Sequence, residues 1–217
     1  MLFDLSPVTL IFVMVTVGIA PFALMMVTSY VKIVVVVSLV RNALGVQQVP
    51  PSTVLNGLAI VLSLFIMAPT VMQTTDLLKA QHLPANATPT QLMKIVKNAS
   101  GPLVNFLDGN SEKRIKVLFE RTARRIWPKE QQDRIHGNNL MILIPSFTIS
   151  ELTKAFQIGF LLYLPFVAID LIISNILLAM GMMMVSPMTI SLPFKLLLFV
   201  SLDGWLKISQ GLMLSYS

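Results

Sequence analysis

Seven charged residues stand in or beside the long apolar stretches of this 217-residue chain: Lys32, Glu151, Lys154, Asp170, Lys195, Asp203 and Lys207. A lone charge in hydrocarbon is expensive, so it marks an ion pair, a water-filled cavity or a functional site. Spacing offers two local partnerships. Glu151 and Lys154 are i,i+3, and Asp203 and Lys207 are i,i+4, so each pair would share a helix face. Lys32, Asp170 and Lys195 have no such neighbour. They need a counter-charge from elsewhere in the fold or from another copy of the chain.

Catalytic readings of these residues fail on spacing and inventory. Asp170 and Asp203 are two acids in apolar surroundings, but an aspartyl dyad needs carboxylates that share a proton, and each has a candidate basic partner. There is no His-Glu-x-x-His and no Walker-type glycine loop, so zinc proteolysis and nucleotide hydrolysis are excluded. Cysteine is absent and only His82 and His136 are present, which excludes thiolate chemistry and disfavours metal clusters. No cofactor is implied, and the chain does not read as an enzyme.

A second chemical feature is methionine, fourteen in all. Met180, Met182, Met183 and Met184 surround Gly181, and Met188 follows. Methionine is unbranched and polarizable, so it fills irregular gaps in a core. If several copies surrounded an axis, the same turn from each would make a compliant apolar collar.

The elements that must position these groups follow from charge distribution. The chain is 55% apolar and 12% charged, with a mean hydropathy of +0.77. Residues 5–31, 42–75, 155–169 and 171–194 carry no charge, and a spanning helix needs ~20 mostly apolar residues. The class is therefore an all-α integral membrane protein, built of helical hairpins with kinked or broken helices and a small helical insert. A soluble enzyme, a disordered tail, a coiled coil and a disulfide scaffold are excluded. Three regions are expected: an N-terminal membrane hairpin over 1–73, a basic insert over 74–139 and a C-terminal membrane hairpin over 140–217.

The first apolar block, Leu5–Val40, is 36 residues with the single charge Lys32. As one helix it would reach ~54 Å against a hydrocarbon core of ~30 Å, so it must bend or project, and Pro21 is placed to kink it. Asp4 stands where a signal peptide would be basic. Arg41–Asn42 opens a connection through Pro50–Pro51, Ser52 or Thr53 caps the next helix, and Val54–Met72 reads as a span. In the insert, Thr88–Gln91 forms a capping box before Leu92, Ile95 and Val96, and Gly101-Pro102 stops that helix. Ser111 then caps a second helix with Ile115, Leu118, Phe119 and Ile126 on one face, ended by Pro128. The insert holds eleven Lys or Arg and six acids, hence +5 of the net +6. It reads as a small helical unit with a solvated basic face, and no nucleic-acid motif accompanies it. Beyond Leu140, Pro145, Pro165, Pro187 and Pro193 segment the apolar block, and Gly181 to Pro187 is the turn of a hairpin.

Two long runs resemble the SctR/FliP family of type III secretion and flagellar export-gate subunits. The first is Leu24–Tyr30 through Val40–Gly45, with Gln47-Gln48 and Pro50-Pro51. The second is Ile144–Phe147, Ser150–Leu152, Lys154–Phe160, Pro165-Phe166, Ile169–Leu171, Met180–Val185, Leu192–Leu196 and Asp203–Trp205. The resemblance implies about five copies joined by SctS-type and SctT-type subunits in a spiral cone of the bacterial inner membrane, raised toward the periplasm. Through that cone unfolded secreted substrates leave the cytoplasm. On it the needle or inner rod is nucleated, with the large SctV/SctU-type components nearby. It also implies a methionine gasket at Met182, Met183 and Met184, and inter-subunit salt bridges of Glu151 with Lys195 and of Asp170 with Lys32. The positive-inside rule would put the basic insert in the cytoplasm. The resemblance puts it, and both termini, in the periplasm, the insert being longer than the loops that rule governs. The short, acidic N-terminus resembles the injectisome branch more than the flagellar one. A stand-alone carrier using Asp170 and Lys32 as a coupling site is the alternative.

Overall fold

The computed structural model describes residues 7–46, 48–80, 95 and 98–217. The regular elements there are all helical: α1 (Pro7–Met26), α2 (Tyr30–Leu44), α3 (Ser52–Ala80), α4 (Gly101–Asn110), α5 (Lys113–Ile126), a 3-10 turn (Lys129–Arg134), α6 (Leu140–Ala179), α7 (Pro187–Ser201) and α8 (Gly204–Leu214). Among the described residues, α3 and α6 are long and apolar enough to cross a membrane. The bent pairs α1–α2 and α7–α8 make up to four crossings if each counts as one.

The first block does bend, but not at Pro21, which lies inside α1. The chain turns by 70° between α1 and α2, across Val27-Thr28-Ser29. β-Branched and hydroxyl side chains there compete with the helical ladder for backbone partners. Ser29 donates its hydroxyl to that of Ser63 on α3 at 3.1 Å, in a buried contact that pins the bend. α2 then supplies the centre of the core. Ile33, Val36, Val37, Val40, Ala43 and Leu44 pack with Leu55 and Ala59 of α3, Ala155 and Phe166 of α6, Phe199 of α7 and Leu212 of α8. Gly159 lets α6 press on α2, since a Cβ there would lie 2.3 Å from Leu39 Cδ1.

The prolines of the last block punctuate less than expected. α6 is one 40-residue helix through both Pro145 and Pro165, and its ~60 Å outreaches a ~30 Å hydrocarbon core. Proline removes one ladder bond without ending a helix whose neighbours hold it. Ser146, Thr148, Ser150 and Thr153 each donate to the carbonyl four residues back. Pro187 does begin α7, and Gly181, with φ of 72°, allows the turn before it.

In the insert, Asn98 and Ala99 are helical and the helix ends at a turn on Ser100, as Gly101-Pro102 requires. The same pair then starts α4, because proline in a first turn lacks only an N–H that would be orphaned anyway. Ser111 closes α4, its hydroxyl donating to the Leu107 carbonyl at 2.7 Å, and Glu112 precedes α5. The buried face of α5 runs through Ile115 and Ala123, with Phe119 packed beside Ala123, while Leu118 and Ile126 are exposed. The capping box at Thr88–Gln91, with Leu92 and Val96, lies outside the described residues. Both insert helices lean on the first half of α6: Leu107 meets Leu143 and Phe147, and Ala123 meets Ile142.

Candidate functional site

α2, in the core, and the first third of α6 carry Lys32 and Glu151 to within 3.2 Å of each other, and both are essentially inaccessible to solvent. Two other groups complete the cluster. Lys154 approaches Glu151 at 3.3 Å and donates to the Asn110 carbonyl at 2.7 Å. Tyr216, beyond α8, donates its hydroxyl to the second Glu151 oxygen. The Tyr216 ring lies between the Lys32 ammonium, 3.5 Å from its centroid, and the stacked ring of Phe106 on α4. Burial, reinforced by the Glu151 carboxylate, pushes the Tyr216 phenol up from its ordinary pKa, so it stays a donor. One carboxylate thus takes two ammonium groups and a phenol, drawn from α2, α6 and the segment after α8. Burial of a charge is tolerable only when its lone pairs and protons are met in this way.

The second pair lies nearer the hairpin turn. Lys195 of α7 approaches Asp170 of α6 at 2.6 Å, and Ser191, one helical turn before it, donates to the other Asp170 oxygen at 2.6 Å. The remaining reach of Lys195 goes to the Ala43 carbonyl at 3.2 Å, near the C-terminal end of α2, where a cation offsets the helix dipole. Three helices are tied at one point. Lys195 is buried, whereas a third of the Asp170 side chain is exposed.

The resemblance pairs Glu151 with Lys195 and Asp170 with Lys32 between copies. Inside one chain Lys32 takes Glu151 and Lys195 takes Asp170, because α2 packs along the first half of α6 while α7 folds back along its second half. The i,i+3 contact of Glu151 with Lys154 is formed as well. Lys32 and Asp170 are in separate clusters, which removes the shared coupling site on which a carrier reading depends. Asp203 and Lys207 form no ion pair. Asp203 occupies left-handed backbone with φ of 51° at the 58° bend between α7 and α8, and both side chains face outward. Sequence spacing does not single out Tyr216, Ser191 or Asn110. Only the i,i+4 relation of Ser191 to Lys195 was there to be read.

Met182, Met183 and Met184 lie at the far tip, in the turn between α6 and α7. Their exposure rises from 41% through 81% to 100%. They are not core filler. Among the described residues no group of three metal-ligating side chains occurs.

Long apolar helices, internally paired charges and an unpacked methionine turn are a structural frame, and the comparisons say which. Residues 13–212 match the FliP family model. The chain belongs to the FliP family. Among its relatives are the Yop proteins translocation protein R of Yersinia pestis, 51% identical over 96% of each chain, and the virulence protein YscR of Salmonella typhimurium, 50% identical over 92% of each. The hypersensitivity response secretion protein HrcR of Ralstonia nicotianae is 46% identical over 96% of each. These names are of the injectisome type, in line with the branch read from the sequence. In this FliP-family chain the matched region takes in both charge clusters and the methionine turn, but not Tyr216.

Proposed function

We propose that the chain is a wall subunit of a type III secretion export gate, several copies of which surround a protein-conducting pore in the bacterial inner membrane. The observation that carries this is the hairpin tip. Met182–Met184 stand unpacked on a stalk that Asp170, Ser191 and Lys195 lock two to three turns below. Large soft side chains on a stiff support suit a constriction that closes on itself at rest and yields to a passing polypeptide. α1 supports the same reading. Leu10, Ile11, Met14, Val15, Val17, Ile19, Phe22 and Leu24 are all exposed on it, a surface that needs lipid or other subunits to cover it.

In this proposal about five copies assemble with SctS-type and SctT-type subunits into a cone raised toward the periplasm, with the insert on the periplasmic side. The cone passes unfolded substrates delivered by SctV/SctU-type components and seats the needle or inner rod. Lys32 and Glu151, sealed inside the subunit, hold its own helices together. Asp170, partly exposed, is the charge a neighbouring copy reaches. The test is conductance: a gate reconstituted with Met182–Met184 replaced by alanine leaks ions at rest, and a gate as tight as wild type would refute the constriction. Size-resolved purification in mild detergent gives a large complex with partner subunits. A monomer or dimer would refute the gate.

A further inference from the structure

The α7–α8 elbow keeps apart two charges that the sequence sets side by side. Asp203 and Lys207 are i,i+4, but such residues share a face only when both have helical backbone. Asp203 stands just outside α8 in left-handed backbone, with φ of 51° and ψ of 45°, which takes its side chain off the stripe that carries Lys207. Its carbonyl still accepts the first α8 bond, from the Lys207 N–H at 3.0 Å. Both side chains are exposed, and neither makes an ion pair or a hydrogen bond among the described residues.

The packing around the elbow fixes this conformation. A Cβ on Gly204 would lie 2.3 Å from the Phe199 ring. That ring is buried and meets Trp205 edge-on, with centroids 5.3 Å apart. Left-handed backbone is costly for aspartate, and such strain persists only where the surroundings hold it.

Depth makes the two free charges expensive. α7 returns along α6, with Lys195 on Asp170 at 2.6 Å and Phe199 against Phe166 at 6.4 Å. The residues of α7 thus count forward as those of α6 count back, and the elbow falls level with Leu162, inside the stretch 155–169 that carries no charge. Exposed Val200, Leu202 and Leu206 surround it. Lipid does not accept a bare acid and a bare base at such a depth.

The other charges of the apolar helices are already engaged. Lys195 holds Asp170, Lys32 and Lys154 hold Glu151, and Arg41 donates to the Pro50 carbonyl and the Ser52 hydroxyl. Asp76 and Lys79 stand at the far end of α3, where Leu78 shares a cleft with Ala99 of the insert. Among the described residues, a second copy therefore offers Asp203 one free base at its own level, Lys207, and offers Lys207 one free acid, Asp203.

We propose that the elbow is a contact between copies, with the Asp203 carboxylate of one on the Lys207 ammonium of the next. The left-handed residue sends the two charges in different directions. Each copy thus gives its acid to one neighbour and its base to the other, the head-to-tail pattern that closes a ring. The contact rests on the reading of several copies around a pore and is independent of the methionine constriction. A different subunit is the competing occupant, but this chain already supplies both counter-charges, in equal number and at matching depth.

The chain has no cysteine, so an introduced disulfide reports the contact directly. Asp203→Cys and Lys207→Cys chains with different tags are co-expressed with the partner subunits, and the large complex is isolated by size in mild detergent and oxidised. A dimer carrying both tags forms several-fold more than the dimer of either variant alone. A mixed dimer no stronger than those, in a complex of wild-type size, overturns the elbow contact and leaves the pore reading intact. Cross-linking of Lys207→Cys to Asp170→Cys instead, or of either variant to a subunit of different mass, also overturns it. Wild-type chains that run only as monomers overturn the pore reading with it. In chains without cysteine, Asp203→Lys and Lys207→Asp each lower the yield of complex several-fold, and both reversals in one chain restore it. A double variant as poor as the single ones overturns the pair.

Discussion

The Glu151 cluster and the methionine turn of this chain sit near opposite ends of α6 and obey opposite rules. Around Glu151 every polar group is partnered, Lys32 and Glu151 are fully buried, and the contacts come from three distant parts of the chain. Around Met183 the side chains are apolar and touch almost nothing. A buried ionic cluster has one good geometry, because an unmatched charge there is penalised heavily. A methionine turn has many geometries of similar energy. The first region fixes a shape, and the second is free to be shaped by what it meets.

Replacement of Glu151 by alanine should separate the two regions most sharply. It leaves Lys32 buried without a counter-charge, at a cost of about 3–5 kcal/mol. The expected outcome is a large drop in thermal stability in detergent and poor recovery of the complex. A stable Glu151→Ala subunit would show that the cluster does not hold the fold.

Charge reversal at Lys195 comes next, and its rescue decides which partner matters. Lys195→Glu sets two acids together and disrupts the α6–α7 hairpin. Asp170→Lys in the same chain restores it if the contact within the subunit governs. Restoration by Glu151→Lys instead would mean that the pairs exchange between copies upon assembly. Complex yield on size-resolved purification reads both.

Tyr216→Phe is milder. It keeps the ring under the Lys32 ammonium and removes the hydrogen bond to a charged acceptor, about 1.5–3 kcal/mol. Tyr216→Ala loses the ring contact as well and must be worse. If the two variants melt together, the ring contributes nothing.

The smallest effect on stability belongs to Met182–Met184→Ala, which leaves the melting of the subunit unchanged while opening the resting pore. A destabilised triple variant would place the methionines in the core after all and erase the contrast between the regions.

Much of the architecture could be read from charge spacing alone. The charge-free run 42–75 located α3, and Gly181 with Pro187 located the hairpin turn, because a bilayer admits few alternatives to an apolar helix; α6 instead runs unbroken through prolines expected to divide it. Helix ends inside the apolar runs were less legible. Pro21, Pro145 and Pro165 each remove one ladder bond, yet the break falls at Val27–Ser29, where a buried serine clasp holds it. Local sequence states the cost of a break, and packing decides where it is paid.

The same division runs through the site. Lys32, Glu151, Asp170 and Lys195 announce themselves by hydropathy, since an ionised group among aliphatic residues demands a partner wherever the chain goes. Composition therefore determined that the charges must pair and that the methionines cluster at a turn. Tertiary structure alone decided that Lys32 meets Glu151, that Lys195 meets Asp170, and that Tyr216 closes the first pair. Pairing depends on which helix faces lie together, and those faces are chosen by the whole core at once: Gly159 against Leu39, and α2 among its four neighbours.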